Sequence, residues 1–133
     1  MTTVRDVMSH RVEYLQLSAT ATDAALYLAS RGVGAIPLCR PDGHLAGMLT
    51  EHDLVVEVIA QGKDPAAFSL ADLTDLPEVP AVALDDAVED AAATMERHHA
   101  ERLPVVDHGR LVGLVNRRDV ARSLTFGRPW ADL

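Results

Sequence analysis

The sequence predicts a mixed α/β (α+β) protein of two tandem β-α-β-β-α units packed sheet to sheet, on three observations. First, the chain repeats itself: Asp23-Ala24-Ala25 recurs 67 positions later as Asp90-Ala91-Ala92, and Ala35-Ile36-Pro37-Leu38 falls on Arg102-Leu103-Pro104-Val105 at the same offset. After a one-residue deletion the offset becomes 66, and Leu45 to Leu54 falls on Leu111 to Val120. Second, each copy holds a near-continuous apolar run of strand length beside a segment with apolar residues at helical spacing. Third, one copy of about 60 residues buries too little surface to be comfortable alone, so two copies are expected to share a core. The repeat divides the 133 residues into units 1–66 and 67–133.

Taken in order, each copy opens on Val4-Arg5-Asp6-Val7-Met8 or its counterpart Leu70-Ala71-Asp72-Leu73-Thr74. Tyr14 to Leu17 and Pro80 to Leu84 are short strand candidates. A helix follows, with Ala24, Ala25 and Leu28 facing inward in the first copy and Val88, Ala91, Ala92 and Met95 in the second. Thr20 or Thr22, and Asp85 or Asp86, have the side chains of N-caps. Ala35 to Cys39 and Leu103 to Val106 read as buried strands. Pro41-Asp42-Gly43 and Asp107-His108-Gly109 are tight turns into third strands, Leu45 to Leu49 and Leu111 to Val115. The second helices run from Glu51 to Ala60, stopped by Gly62, and from Arg117 to Leu124, stopped by Gly127. Gln61 to Ala67 is the expected linker. The strand–helix–strand crossover gives a parallel pair, and the turn adds an antiparallel third strand.

Composition narrows the function. Twenty acidic residues against 12 basic give a net charge of −8, which excludes binding to a nucleic-acid polymer through a broad basic surface. A single cysteine, Cys39, can form neither an internal disulfide nor a Cys-x-x-Cys zinc site, and lies in a buried strand pattern as a packed small hydrophobe. No apolar run is long enough to span a membrane, and Met1 to Asp6 lacks the features of a signal peptide, so no membrane association and a cytoplasmic location are expected. Neither a Walker nor a GxGxxG loop occurs, and no Ser-His-Asp or Cys-His set has a supporting motif, so no catalytic residues are assigned. His98 and His99 point about 100° apart on a helix and do not chelate together, and no metal site is assigned to them or to His108.

The paired motifs resemble CBS domains arranged as a Bateman module. The resemblance rests on two copies of a Val-x-Asp-Val-Met-like entry, on Ala-Ile-Pro-Leu or Leu-Pro-Val-Val, and on Gly-apolar-apolar-Thr/Asn-x-x-Asp, and it covers Val4 to Leu124. It implies a pseudo-twofold pair of units that binds adenosine-type ligands in the cleft between them: AMP, ADP, ATP or S-adenosylmethionine, with no cofactor required. It further implies a regulatory module that commonly assembles as a homodimer and signals by conformational change to a protein partner that the sequence does not identify. A ligand-free structural or dimerisation module is the alternative.

Within the resemblance, Asp53 and Asp119 would accept hydrogen bonds from the ribose hydroxyls, since one carboxylate takes two donors. Thr50 and its counterpart Asn116 would serve the ribose or phosphate side, helped by the first N–H groups of the following helix. Thr-x-x-Asp is also a capping box, which satisfies those N–H groups with no ligand, and the two roles can coexist. Ala35 with Ile36, and Arg102 with Leu103, match strand edges that contact adenine. Val12 with Tyr14, and Val79 with Ala81, match the opposite wall. The copies are expected to be unequal, because Arg102 and Arg118 stand where the first copy has Ala35 and His52. Asp119 with Arg102 and Arg118 is then the expected site for a phosphorylated ligand. Adenine held mainly by aliphatic side chains implies affinity of roughly micromolar order or weaker. The apolar tail with Phe126 and Trp130 is expected to pack on its own module or across the dimer.

Overall fold

Pro37 and Pro104 sit in the middle strands of two sheets and explain how those sheets are trimmed. The computed structural model describes residues 1–74, 76 and 79–126. Its elements are Val4–Val7 (α1), Leu15–Gln16 (β1), Ala21–Arg31 (α2), Ala35–Cys39 (β2), Leu45–Thr50 (β3) and Glu51–Leu54 (α3), the last continuing as a π turn over Val55–Ile59. A 3-10 turn at Leu70–Asp72 precedes Val82–Ala83 (β4), Val88–His98 (α4), Arg102–Asp107 (β5), Arg110–Asn116 (β6) and Arg117–Phe126 (α5). The strand orders are β1-β2-β3 and β4-β5-β6, each middle strand parallel to the first and antiparallel to the third, which is the mixed topology the sequence predicts. The first strands are shorter than their sequence patterns. Proline lacks the N–H a parallel ladder needs, and pairing begins one residue later, at Leu15 with Leu38 and Val82 with Val105.

The repeat boundary and the packing boundary do not coincide. One compact unit is Glu13–Val79; the other joins Met1–Val12 to the chain from Pro80 onward. Thus the entry segment of each repeat packs with the other repeat's sheet and helices. In the unit beginning at Glu13, Ser69 bridges to Thr20, and Leu70 is fully buried in a core with Ala24, Leu28, Ile36, Leu38, Leu49 and Val58. In the other unit Thr3 bridges to Ala87, and Val4 is fully buried with Val88, Met95, Leu103, Val105, Val115 and Val120. Ala25, expected to face inward, is exposed; the buried positions of α2 are Ala21, Ala24 and Leu28.

Helix starts show the same exchange. Thr20 caps α2 in a reciprocal box with Asp23 (2.9 and 3.1 Å). The first α2 N–H groups also donate to the expected linker and to the residue that follows it, Thr22 to the Pro65 carbonyl at 3.1 Å and Ala21 to that of Phe68 at 2.9 Å. Residues 61–67 are therefore part of the unit that begins at Glu13 rather than a free connection. In α4 the cap residue is Ala87, not Asp85 or Asp86. Asp86 is spent on the preceding turn, accepting from Ala83 N–H at 2.9 Å, and the Thr2 carbonyl accepts the Val88 N–H at 3.1 Å.

At helix ends the repeats differ by one side chain. Gly32 terminates α2 in the left-handed region (φ 65°), and His99 does so for α4 (φ 52°). A β-carbon in that region costs on the order of 1 kcal/mol. His99→Gly is expected to stabilise the protein by roughly 0.5–1 kcal/mol in urea unfolding, the backbone freedom of glycine offsetting part of the gain. A stability loss would mean the imidazole makes a contact that outweighs the strain.

The glycines of the two third strands are packed differently. Gly113 lies under the entry segment, where Ser9 and Leu114 exchange backbone hydrogen bonds of 2.7 and 3.1 Å. A β-carbon on Gly113 would stand 2.6 Å from the Ser9 carbonyl oxygen, whereas one on Gly47 would stand 3.5 Å from the Leu76 side chain.

Candidate functional site

Each unit has a corner where its third strand turns into its last helix, and most of the expected polar site residues gather there. Antiparallel register sets Ala35 opposite Thr50 and Arg102 opposite Asn116. The corner is held by a backbone bond that the sequence pattern did not reveal: the Gly34 carbonyl accepts from Glu51 N–H (3.1 Å), and the Glu101 carbonyl accepts from Arg117 N–H (2.8 Å). Gly34 and Glu101 precede the middle strands at matching repeat positions, which is the signal that could have singled them out.

The two corners differ in how they use their carboxylates. In the first, Asp53 N–H donates to Thr50 Oγ1 (3.2 Å), and Asp53 Oδ2 accepts from Thr50 N–H (2.9 Å). This is the complete capping box, and it occupies one oxygen of Asp53. In the second, Asp119 N–H donates to Asn116 Oδ1 at 2.8 Å, but the Asp119 carboxylate has no hydrogen-bond or ionic partner among the described residues. Arg102 and Arg118 are exposed and likewise unpaired among them, whereas Arg117 reaches Glu101 at 3.3 Å. The second corner thus offers one half-buried carboxylate and two uncommitted guanidinium groups. The first and third N–H groups of each helix are already used locally, so only the second, on His52 or Arg118, is left to face an anion.

Other expected residues divide differently from their order in the sequence. Ile36 and Leu103 are each 1% exposed and belong to their units' cores, so neither presents an open surface to a ligand. Tyr14 is exposed beside β1, and Ala35 is half-buried. Val12 falls in the compact unit of Asn116 and Asp119, while Tyr14 falls in that of Thr50 and Asp53. Val79 and Ala81 are divided in the opposite sense. Both segments thus straddle the boundary between the two compact units.

Cys39 is buried, and burial pushes its thiol above the ordinary cysteine range, as suits a packing residue. Among the described residues no three His, Cys, Asp or Glu side chains are grouped to hold a metal ion. No described helix is long and apolar enough to cross a membrane. The Phe126 side chain and residues 127–133, on which the expected tail packing falls, lie outside the described residues.

This geometry has close counterparts. The model of the CBS domain family matches residues 4–60 and again 71–125. Hypoxic response protein 1 of Mycobacterium tuberculosis is 36% identical over 124 residues, covering 93% of this chain and 86% of the relative. A crystal structure of Hypoxic Response Protein I with two coordinated zinc ions superposes with a TM-score of 0.79, covering 92% of this chain and 98% of that one. The structure of CBSX2 in complex with AMP gives 0.76 at 27% identity, covering 93% and 96%. The CBS domain pair of protein MJ0100 with 5′-methylthioadenosine and S-adenosyl-L-methionine gives 0.71 at 25% identity, covering 92% and 99%. Two ordered copies of the motif, two three-stranded sheets of matching topology and these likenesses lead to one conclusion: the chain belongs to the CBS domain family, as a tandem pair.

Proposed function

We propose that the protein is a regulatory module that binds an adenosine-type ligand at the strand–helix corners of its units and passes the binding state to a protein partner. The observation that carries this reading is the second corner, where the Asp119 carboxylate and the Arg102 and Arg118 guanidinium groups are held without partners among the described residues. A carboxylate accepts two hydroxyl donors at once, as a ribose presents them, and guanidinium matches phosphate. The second corner therefore takes the phosphorylated ligand, AMP, ADP or ATP. The first corner has Ala35 and His52 in place of the two arginines, and an Asp53 half committed to its cap, so it suits an uncharged or cationic adenosyl compound such as S-adenosylmethionine. The AMP complex of one structural relative and the 5′-methylthioadenosine and S-adenosyl-L-methionine complex of another support an adenosyl ligand.

No reaction is assigned to the module. Its output is a shift between conformations, driven by the ligand's preference for one of them. Its working assembly is a homodimer, and its compartment is the cytoplasm. The purely structural role of the motif has one observation in its favour, the complete Thr50–Asp53 capping box, and we assign that role to the first copy alongside any ligand.

Calorimetric titration with AMP, ADP, ATP, S-adenosylmethionine and NAD tests the reading. At least one adenosyl ligand is expected to bind with a Kd of roughly micromolar order. Ligand at 100 times that Kd would add about 2.7 kcal/mol of stability. The absence of both heat and thermal shift at millimolar ligand would overturn it.

A further inference from the structure

Three Thr-x-x-Asp segments and one Asn-x-x-Asp segment begin helices in this chain, and they use their aspartates differently. Thr3 stands before Asp6, Thr20 before Asp23 and Thr50 before Asp53, and in each case the aspartate Oδ2 accepts the threonine's own N–H at 2.9 Å. Asp86 does the same for Ala83, which has no side-chain acceptor, also at 2.9 Å. Accepting that N–H is therefore the ordinary fate of an aspartate at this spacing. Asp119 is the exception: it makes no such bond with Asn116.

The physical reason lies in reach. Threonine Oγ1 is bonded directly to Cβ, whereas asparagine Oδ1 stands one atom further out. For Thr20 and Thr50 to receive the N–H of the third helical residue, at 3.1 and 3.2 Å, the first turn closes tightly, and the threonine's own N–H comes under the aspartate. Asn116 receives the same N–H at 2.8 Å with its longer arm and satisfies it alone. That bond also fixes the amide, since only its carbonyl oxygen can accept. The Asp119 carboxylate is left half-buried and uncommitted among the described residues.

We propose that Asn116 is a positioning residue: by capping α5 without help it keeps the Asp119 carboxylate free for the ribose hydroxyls of the ligand. This deepens the reading of the second corner given above and rests on it. A threonine at that position, as in the first copy, would complete the box and commit one carboxylate oxygen. The identity of a single side chain thus sets which corner distinguishes a ribose from a deoxyribose.

Calorimetric titration of the full chain with AMP and with 2′-deoxy-AMP tests the role. Wild type is expected to prefer AMP by about tenfold, the worth of one hydroxyl donated to a carboxylate. Asn116→Thr is expected to weaken AMP and reduce that preference to about threefold or less, because the carboxylate is drawn into the cap. Its urea unfolding is expected to show no loss of stability, since a capping side chain is kept. Asn116→Ser, equally short, is expected to behave alike, and serves if the β-branch of threonine disturbs the end of β6. Asp119→Ala is expected to cost less of the preference in the Asn116→Thr background than in wild type, the non-additivity of residues that act through one another. Equal losses for the two nucleotides in Asn116→Thr would mean that Asn116 touches the ligand itself, overturning the positioning role and leaving the second corner as the site. An unchanged preference would overturn the role as well, and so would a wild type that binds the two nucleotides equally. A wild type that binds neither would overturn the second-corner reading, and the role of Asn116 with it.

Discussion

Gly113→Ala is expected to destabilise the protein by roughly 1–3 kcal/mol, while Gly47→Ala, at the matching position of the first repeat, stays within about 1 kcal/mol of wild type. The difference lies in what each new methyl group meets. At Gly113 it would lie 2.6 Å from the Ser9 carbonyl oxygen and 3.0 Å from Met8 Sδ; at Gly47 it would meet Leu76 side-chain carbons at 3.5 Å or beyond. A backbone carbonyl engaged in the Ser9–Leu114 bridge cannot rotate away as a leucine terminus can. Relief requires the entry segment to lift, which loosens Val4 from the core it fills. Thermal unfolding measures this directly, since about 1 kcal/mol moves Tm by several degrees in a domain of this size. Equal shifts for the two alanines would mean that residues 1–12 do not lie against β6.

Asp119→Ala is expected to reduce affinity for a phosphorylated adenosyl ligand by about tenfold or more, with little loss of stability. Hydrogen bonds to a charged group contribute about 1.5–3 kcal/mol, and tenfold in affinity is about 1.4 kcal/mol. The Asp119 carboxylate makes no bond to the described residues, so its removal takes nothing from the fold beyond a modest interaction with the helix dipole. Asp53→Ala is expected to behave in reverse. It deletes the acceptor of the Thr50 N–H and costs roughly 1 kcal/mol of stability, with a smaller effect on the same ligand. Arg102→Ala sharpens the test, because it should weaken AMP strongly and adenosine hardly at all. Calorimetry on the three variants, each with its own unfolding curve, separates binding from folding. Equal affinity losses for the two aspartate variants would contradict unequal corners.

Much of this was legible in the chain because it is local or repeated. The helix boundaries follow from Thr20 with Asp23, from Gly32 and from the Thr50–Asp53 spacing, each of which acts within four residues. The middle strands are apolar because both edges are paired, and the turns announce themselves as Asp-Gly and Asp-His-Gly. The unequal basic residues at Arg102 and Arg118 also need only an alignment of the chain with itself.

What tertiary structure alone decided is the partner of each entry segment. Val4 and Leu70 are one buried residue each on a single short turn, and nothing near them in sequence states which core has room. The choice is made by long-range backbone bonds, Val88 N–H to the Thr2 carbonyl and Ala21 N–H to that of Phe68. Val12 then lies in the compact unit of Asp119, and Val79 in that of Asp53. Burial likewise withdrew Ile36 and Leu103 from the surface, a fate their apolar pattern shares with any binding wall. Periodicity and capping are read within a few residues, so the chain alone determined its repeats, elements and unequal corners. The crossing of segments 86 and 47 residues apart is paid in loop closure and repaid only by packing, and it therefore belonged to the folded protein.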